Sequence, residues 1–230
     1  MGLRRAVVLL SGGLDSATVA AVARSDGYEV FALTIDYNQR HRIEIESAKR
    51  IVSALEIKQH IIMPLNLRLF GGSSLSGDIE VVKNVPINEI GNSIPTSYVP
   101  ARNIIFLSIA LAYAEVVFAE RIYIGVSAID YSGYPDCRPE FLSAFEGMAN
   151  IATKTGNEGN KISIVAPLIQ LDKAATIKLG LSLGVDYSLT HTCYDPVGVV
   201  ACGCCESCLL RLQAFDNAGI KDPIKYVNRG

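Results

Sequence analysis

Residues 5–18, Arg5-Ala6-Val7-Val8-Leu9-Leu10-Ser11-Gly12-Gly13-Leu14-Asp15-Ser16-Ala17-Thr18, read as a strand, a bare turn and the start of a helix. The run 5–10 is apolar and rich in branched side chains, which suits a fully buried strand. Gly12 and Gly13 stop it. From Asp15 the chain turns Ala-rich, and Leu14, Ala17 and Ala21 fall at helical spacing. In α/β sheets ligands bind beyond the carboxyl ends of the strands. A turn with two glycines lets the backbone approach phosphate oxygens, and the free N–H groups opening the helix point at the anion. Ser11 and Ser16 add hydroxyl donors. Asp15 repels phosphate directly, an objection that a Mg²⁺ ion between them removes. The Gly-Lys-Ser/Thr of a P-loop and the spacing of the dinucleotide fingerprint are both absent.

Further along, strands are expected at 28–35, 59–63, 121–126 and 162–165. Helices are expected at 42–55, at 140–153, at 173–183, at 206–217, and from Pro100 through the apolar stretch 104–119. Pro suits a first helical turn. Residues 65–99 lack periodicity and read as a functional or disordered loop. Alternating strands and helices predict a doubly wound, mostly parallel five-stranded α/β sheet with helices on both faces. A boundary near Gly184 separates residues 1–184 from a cysteine-rich appendage, 185–230.

Half of the 230 residues are hydrophobic and 19% are charged, enough for a sizeable core. Lys plus Arg number 21 against 23 Asp plus Glu, so no bulk attraction draws the chain to nucleic acid or an acidic membrane. The apolar run 6–10 is too short for a signal peptide, and 104–119 is interrupted by Ser108, Tyr113 and Glu115. A cytoplasmic location is expected.

Five of the six cysteines fall within residues 193–208. Cys202, Cys205 and Cys208 are spaced C-x₂-C-x₂-C, and Cys193 precedes them by nine residues. Nested turns of this kind gather thiolates at Zn²⁺ distance, and four sulfurs leave no open position, which implies a structural metal. An iron–sulfur cluster has similar spacing but expects a further cysteine where this chain has Leu212. Disulfides are the other alternative, disfavoured in a reducing compartment.

The turn and the cysteines, in this order, resemble the 7-cyano-7-deazaguanine synthase family of the N-type ATP pyrophosphatases, or PP-loop superfamily. Four further segments carry the resemblance: Gly72-Ser73-Ser74-Leu75; Val99-Pro100-Ala101-Arg102-Asn103; Asp130-Tyr131-Ser132-Gly133-Tyr134-Pro135-Asp136-Cys137-Arg138; and Ala201-Cys202-Gly203 through Cys208. It spans about 7–219. One departure is His191-Thr192 before the first ligand cysteine, where the family is expected to have Trp-Ser; the chain has no Trp.

The resemblance implies an adenine-nucleotide hydrolase-like fold and ATP-dependent conversion of 7-carboxy-7-deazaguanine and ammonia to the nitrile, a step towards 7-deazaguanine nucleosides of tRNA. It implies ATP, Mg²⁺ and Zn²⁺, a homodimer, and no direct contact with nucleic acid or membrane. The ATP site would comprise Val8, Leu9, Leu10, Ser11, Gly12, Gly13, Leu14, Asp15, Ser16, Ala17 and Thr18, joined by Thr34, Ile35 and Asp36 at the end of the second strand, and by Arg102. Ser11, Asp15, Ser16 and Lys173 would carry catalysis. Asp130, Tyr131, Tyr134, Asp136, Cys137 and Arg138 would bind the deazaguanine, with Cys137 as pocket residue or, alternatively, thioester nucleophile. Cys193, Cys202, Cys205 and Cys208 would hold zinc. Two other functions fit parts of the pattern: an amide-forming or tRNA-thiolating PP-loop enzyme, and a zinc-dependent nucleic-acid-binding module. Residues 197–210 contain no Arg or Lys, which disfavours the second.

Overall fold

The computed structural model describes residues 3–91, 93–127 and 134–227. Five strands, β1 (Arg5–Leu9), β2 (Glu29–Asp36), β3 (Gln59–Pro64), β4 (Arg121–Tyr123) and β5 (Ser163–Val165), form one sheet in the order β3-β2-β1-β4-β5. Every pairing is parallel. Among the described residues seven α-helices accompany them: α1 (Leu14–Ser25), α2 (Ile43–Ala54), α3 (Arg102–Val117), α4 (Pro139–Ala152), α5 (Lys154–Asn157), α6 (Lys173–Ser182) and α7 (Glu206–Ala218).

Because side chains alternate along a strand, β1 feeds two cores. Ala6, Val8 and Leu10 pack with Ala17 of α1, Ala48 of α2, Ile177 of α6 and Phe215 of α7. Val7 and Leu9 pack with Leu107 and Ala114 of α3 and Phe145 of α4 on the other face. The chain winds from β1 out to β3, then returns to build β4 and β5 on the opposite side. The strand order therefore reverses between β1 and β4, where an open parallel sheet leaves a crevice. Gly125, just past β4, keeps the crevice narrow: a Cβ there would lie 3.2 Å from the Ser16 nitrogen.

Several expectations need correction. α3 begins at Arg102, not Pro100; Ala101 stands before it with a left-handed φ of 56°. The start is set by Asp136, whose Oδ2 accepts from the Asn103 N–H at 2.9 Å and replaces a missing intrahelical partner. α3 is also buried on only one side, since Ile104 and Val116 are exposed. The described residues of the 65–99 stretch pack onto the protein: Leu67, Leu75 and Val99 join the second core, and single 3₁₀ turns form at Leu67–Leu69 and Ile87–Glu89. α5 and the 3₁₀ turn Tyr187–Leu189 are additional elements, and β4 ends three residues early.

The C-terminal segment is fastened to the main core. The Arg211 guanidinium is 2% exposed and grips Asp222 through two hydrogen bonds, at 2.8 and 3.0 Å. It also donates to Thr190 Oγ1 and to the Tyr187 carbonyl. Among the described residues no helix is long and apolar enough to cross a membrane.

Candidate active site

The turn between β1 and α1 is built from its backbone. Gly12 has φ +90°, and a Cβ there would strike the Glu44 carbonyl oxygen and sit 2.8 Å from the Ala48 nitrogen. α2 thus packs directly on the turn, and only glycine fits. The Gly12 carbonyl accepts from the His191 N–H at 2.9 Å. Gly13 caps α1 in extended conformation with no side chain taking the cap position, so the helix-opening amides are left for a ligand. Ser11 and Ser16 hydroxyls lie 3.1 Å apart, and Ser16 donates to the Gly13 carbonyl. Lys173 Nζ meets Asp15 Oδ2 at 2.7 Å. The other Asp15 oxygen is buried and has no hydrogen-bond partner among the described residues.

Beside the turn lies a cavity of about 240 Å³. Leu9, Leu10, Ser11, Gly13, Leu14, Asp15 and Ser16 form one side; Ile35, Tyr37, Gln39, Glu44, Arg102, Asn103, Phe106, His191, Thr192 and Tyr194 contribute the rest. Other residues expected at ATP lie behind it. Val8, Ala17 and Thr18 are wholly buried. Thr34 spends its hydroxyl on the Leu10 carbonyl at 2.6 Å and on His60 at 2.9 Å. Asp36 pairs with Arg42. Ile35, between them, is the residue of that strand end that faces the cavity.

Of the residues expected at the deazaguanine, Asp130 and Tyr131 lie outside the described residues. Tyr134, Asp136 and Cys137 are buried beneath α3, and Arg138 is exposed. Tyr134 bonds Ser97 Oγ at 3.0 Å and lies under the Arg102 guanidinium, 5.8 Å from the ring centre. Asn103 donates to the Asp136 carbonyl and the Cys137 sulfur. Burial, then Asp136, pushes the Cys137 thiol up to about 11, which removes the thiolate a nucleophile needs. These residues hold the first turn of α3, and with it Arg102, against the cavity.

Arg102 has its charge reinforced: burial opposes it, but the phenol oxygens of Tyr37, Tyr134 and Tyr194 outweigh that and raise its pKa. Burial pushes Glu44 up to about 7, against the opposing pull of Arg102. Sequence reading missed Glu44, Tyr37 and Tyr194. Their positions follow from packing across separate segments; the one local signal is the acid in the first turn of α2.

The sulfurs of Cys193, Cys202, Cys205 and Cys208 all lie within 4.8 Å of one another and are buried. Tetrahedral zinc with bonds of about 2.3 Å requires sulfurs about 3.8 Å apart, so the group fits. Backbone N–H groups of Cys202 and Cys205 point at the Cys193 and Cys202 sulfurs, at 3.2 and 3.3 Å. His191 is not part of this group. It lines the cavity instead, where its Nε2 and the Thr192 hydroxyl have no partner among the described residues. Burial lowers His191 to about 4, leaving a neutral ring.

The family model of queuosine biosynthesis protein QueC matches residues 5–219. A 7-cyano-7-deazaguanine synthase of Solidesulfovibrio magneticus is 56% identical over 97% of this chain and 96% of its own length. That of Syntrophobacter fumaroxidans is 54% identical over 97% of each. Among solved structures, an NMN synthetase of Francisella tularensis superposes with a TM-score of 0.51 at 19% identity, covering 95% of this chain and 79% of that one; this likeness concerns the fold alone. With the model matched from β1 to the end of α7 and relatives above 50% identity end to end, the chain belongs to the QueC family of queuosine biosynthesis proteins.

Proposed function

We propose that this chain is an ATP-dependent carbon–nitrogen ligase that converts 7-carboxy-7-deazaguanine and ammonia into 7-cyano-7-deazaguanine. The family membership carries the substrate, and the chemistry of the cavity supports it. A carboxylate is a poor acylating agent because oxide is a poor leaving group. Attack on the α-phosphate of ATP makes an acyl adenylate and releases pyrophosphate. Ammonia then displaces AMP to give the amide. A second adenylation, on the amide oxygen, permits loss of AMP to leave the nitrile.

The single observation that carries the reading is the uncapped α1 start facing a cavity that also receives Arg102. The amides at Gly13 to Asp15 would hold the pyrophosphate oxygens, with the helix dipole in support. Arg102, a fork suited to carboxylate or phosphate, would bring the acid and the α-phosphate together. The work is positioning and charge stabilisation. The unpartnered Asp15 oxygen fits a Mg²⁺ ion, which would offset charge on the phosphates. Lys173, already against Asp15, adds a cation at the same edge.

The four cysteines would hold Zn²⁺ as a structural ion. Its place explains a service to the active site: Cys193 follows closely on His191, whose N–H holds the Gly12 carbonyl. In this reading residues 1–184 carry the nucleotide chemistry and 185–230 brace it. The protein acts in the cytoplasm as a homodimer on small molecules, without binding nucleic acid.

The test is mass spectrometry of the product formed from the deazaguanine acid with ATP, Mg²⁺ and ammonium. A mass corresponding to the nitrile is expected. Unchanged acid under conditions where a characterised relative turns over would refute the proposal.

A further inference from the structure

Near neutral pH the nitrogen source is almost all ammonium, whose lone pair is tied up by a proton. Something must take that proton before nitrogen can attack an acyl carbon. The loop residues are occupied with phosphate, and Asp15 is paired with Lys173. Glu44 has no duty so far. Its backbone is packed so tightly on Gly12 that no Cβ fits between them, so its position relative to the phosphate turn is fixed. The residue lines the cavity together with Tyr37, Phe106, Tyr194 and Arg102. Among the described residues its carboxylate makes no ion pair and no side-chain hydrogen bond. A carboxylate that shares a cavity lining with aromatic rings is chemistry that can hold a small cation.

We propose that Glu44 is the ammonium site and the proton acceptor for the nitrogen nucleophile. One N–H bond of ammonium breaks, its electrons stay on nitrogen as a lone pair, and the proton passes to a Glu44 carboxylate oxygen. The ammonia so formed attacks the acyl carbon of the adenylate. The C–N bond forms, the bond from that carbon to the AMP oxygen breaks, and AMP leaves with the electron pair. The surplus proton on nitrogen goes to solvent, as does the proton on Glu44 before the next turnover.

The groups that face Glu44 agree with such a role. From α3, Arg102 favours its ionised form; from the segment after β2 and the segment after Thr190 come Tyr37 and Tyr194, both neutral near pH 7. His191, which also lines the cavity, is neutral too, and Asp15, on the same lining, is paired with Lys173. Burial places the titration of Glu44 at about 7, where a general base is most effective.

The inference rests on the proposed function, and its test separates the two. Exchange of labelled pyrophosphate into ATP that depends on the deazaguanine acid reports adenylation alone. Amide formation from ammonium reports the second step. In Glu44→Gln the ammonium step should fall at least 30-fold while acid-dependent exchange stays within about threefold. Hydroxylamine, which is uncharged at pH 7, should still trap the adenylate as hydroxamate. Glu44→Asp should recover part of the ammonium rate. At fixed total ammonium the wild-type rate should level off above pH 7, whereas the Gln variant should keep rising with the fraction of free ammonia. Equal loss of exchange and amide formation would make Glu44 a residue that binds the acid or the nucleotide and overturn the inference. So would an unchanged ammonium step, or loss of hydroxylamine trapping. Absence of acid-dependent exchange in the wild type would instead refute the proposed function.

Discussion

Lys173 Nζ lies 2.7 Å from Asp15 Oδ2, so the first turns of α6 and α1 meet at the mouth of the phosphate turn although 158 residues separate them in the chain. The pair engages one oxygen of the acid, and the other is buried with no hydrogen-bond partner among the described residues. Replacing Asp15 by Ala should lower kcat by at least a hundredfold, with circular dichroism unchanged. Normal turnover in that variant would place the metal and phosphate chemistry elsewhere.

Gly12→Ala should be worse than a typical surface change. The residue has a left-handed φ, and the added methyl meets backbone, not a movable side chain. α2 would have to shift, so a loss of at least 2 kcal/mol is expected, by analogy with strained non-glycine positions. Chemical denaturation measures the stability, and ATP-dependent protection in thermal unfolding measures the loss of nucleotide binding.

Cys205→Ser should release the bound metal and unfold the C-terminal segment. Structural zinc contributes on the order of 10 kcal/mol of binding free energy to folding. Because His191 and Thr190 tie this segment to the turn, ATP binding should fall together with zinc content, read by metal analysis and by calorimetric titration with ATP. A four-iron cluster would show itself as visible absorbance and sulfide, and would contradict the zinc assignment.

Arg211→Leu removes one partner of a buried pair and strands Asp222 next to Tyr226, whose hydroxyl donates to it at 2.6 Å. Breaking such a pair from one side costs about 3–5 kcal/mol. Double replacement with Asp222→Leu should recover part of the loss, which denaturation of the four combinations would show.

Glu44 also makes a signed prediction for stability. Its folded pKa, about 7, lies above the ordinary carboxylate value of 4.5, so the folded state binds the proton more tightly than the unfolded one. The group's contribution is therefore greatest below pH 4.5 and is lost as pH rises to about 7. Each unit corresponds to about 1.4 kcal/mol. Glu44 is only part-buried, so solvent screening holds the total to about 1–3 kcal/mol. The melting temperature of the ligand-free wild type should fall relative to Glu44→Gln between pH 5 and 7.5; parallel curves would show that Glu44 titrates normally.

Much of this was legible along the chain because the signals are local. The run from Arg5 to Leu10, its glycines and the Ala-rich helix after it decide a strand, a turn and a helix within a few residues of each other. The cysteine spacing works the same way. The remainder depends on distance in space. Nothing near Glu44, Tyr37 or Tyr194 in sequence announces that they converge with Arg102 on one cavity. Thr34, Ile35 and Asp36 were all expected at the nucleotide, but a residue's face is set by pleat and register, and of the three Ile35 lines the cavity. Asp136 looked like a reader of a base edge; its Oδ2 caps α3, an interaction no spacing rule reveals.

Cleavage of ATP between its α and β phosphates, with the pyrophosphate held at the turn after β1, can be read directly from the products. Phosphorus NMR of a complete reaction should show AMP and pyrophosphate in equal amounts, two of each per nitrile formed. ADP and inorganic phosphate as the stoichiometric products would contradict it.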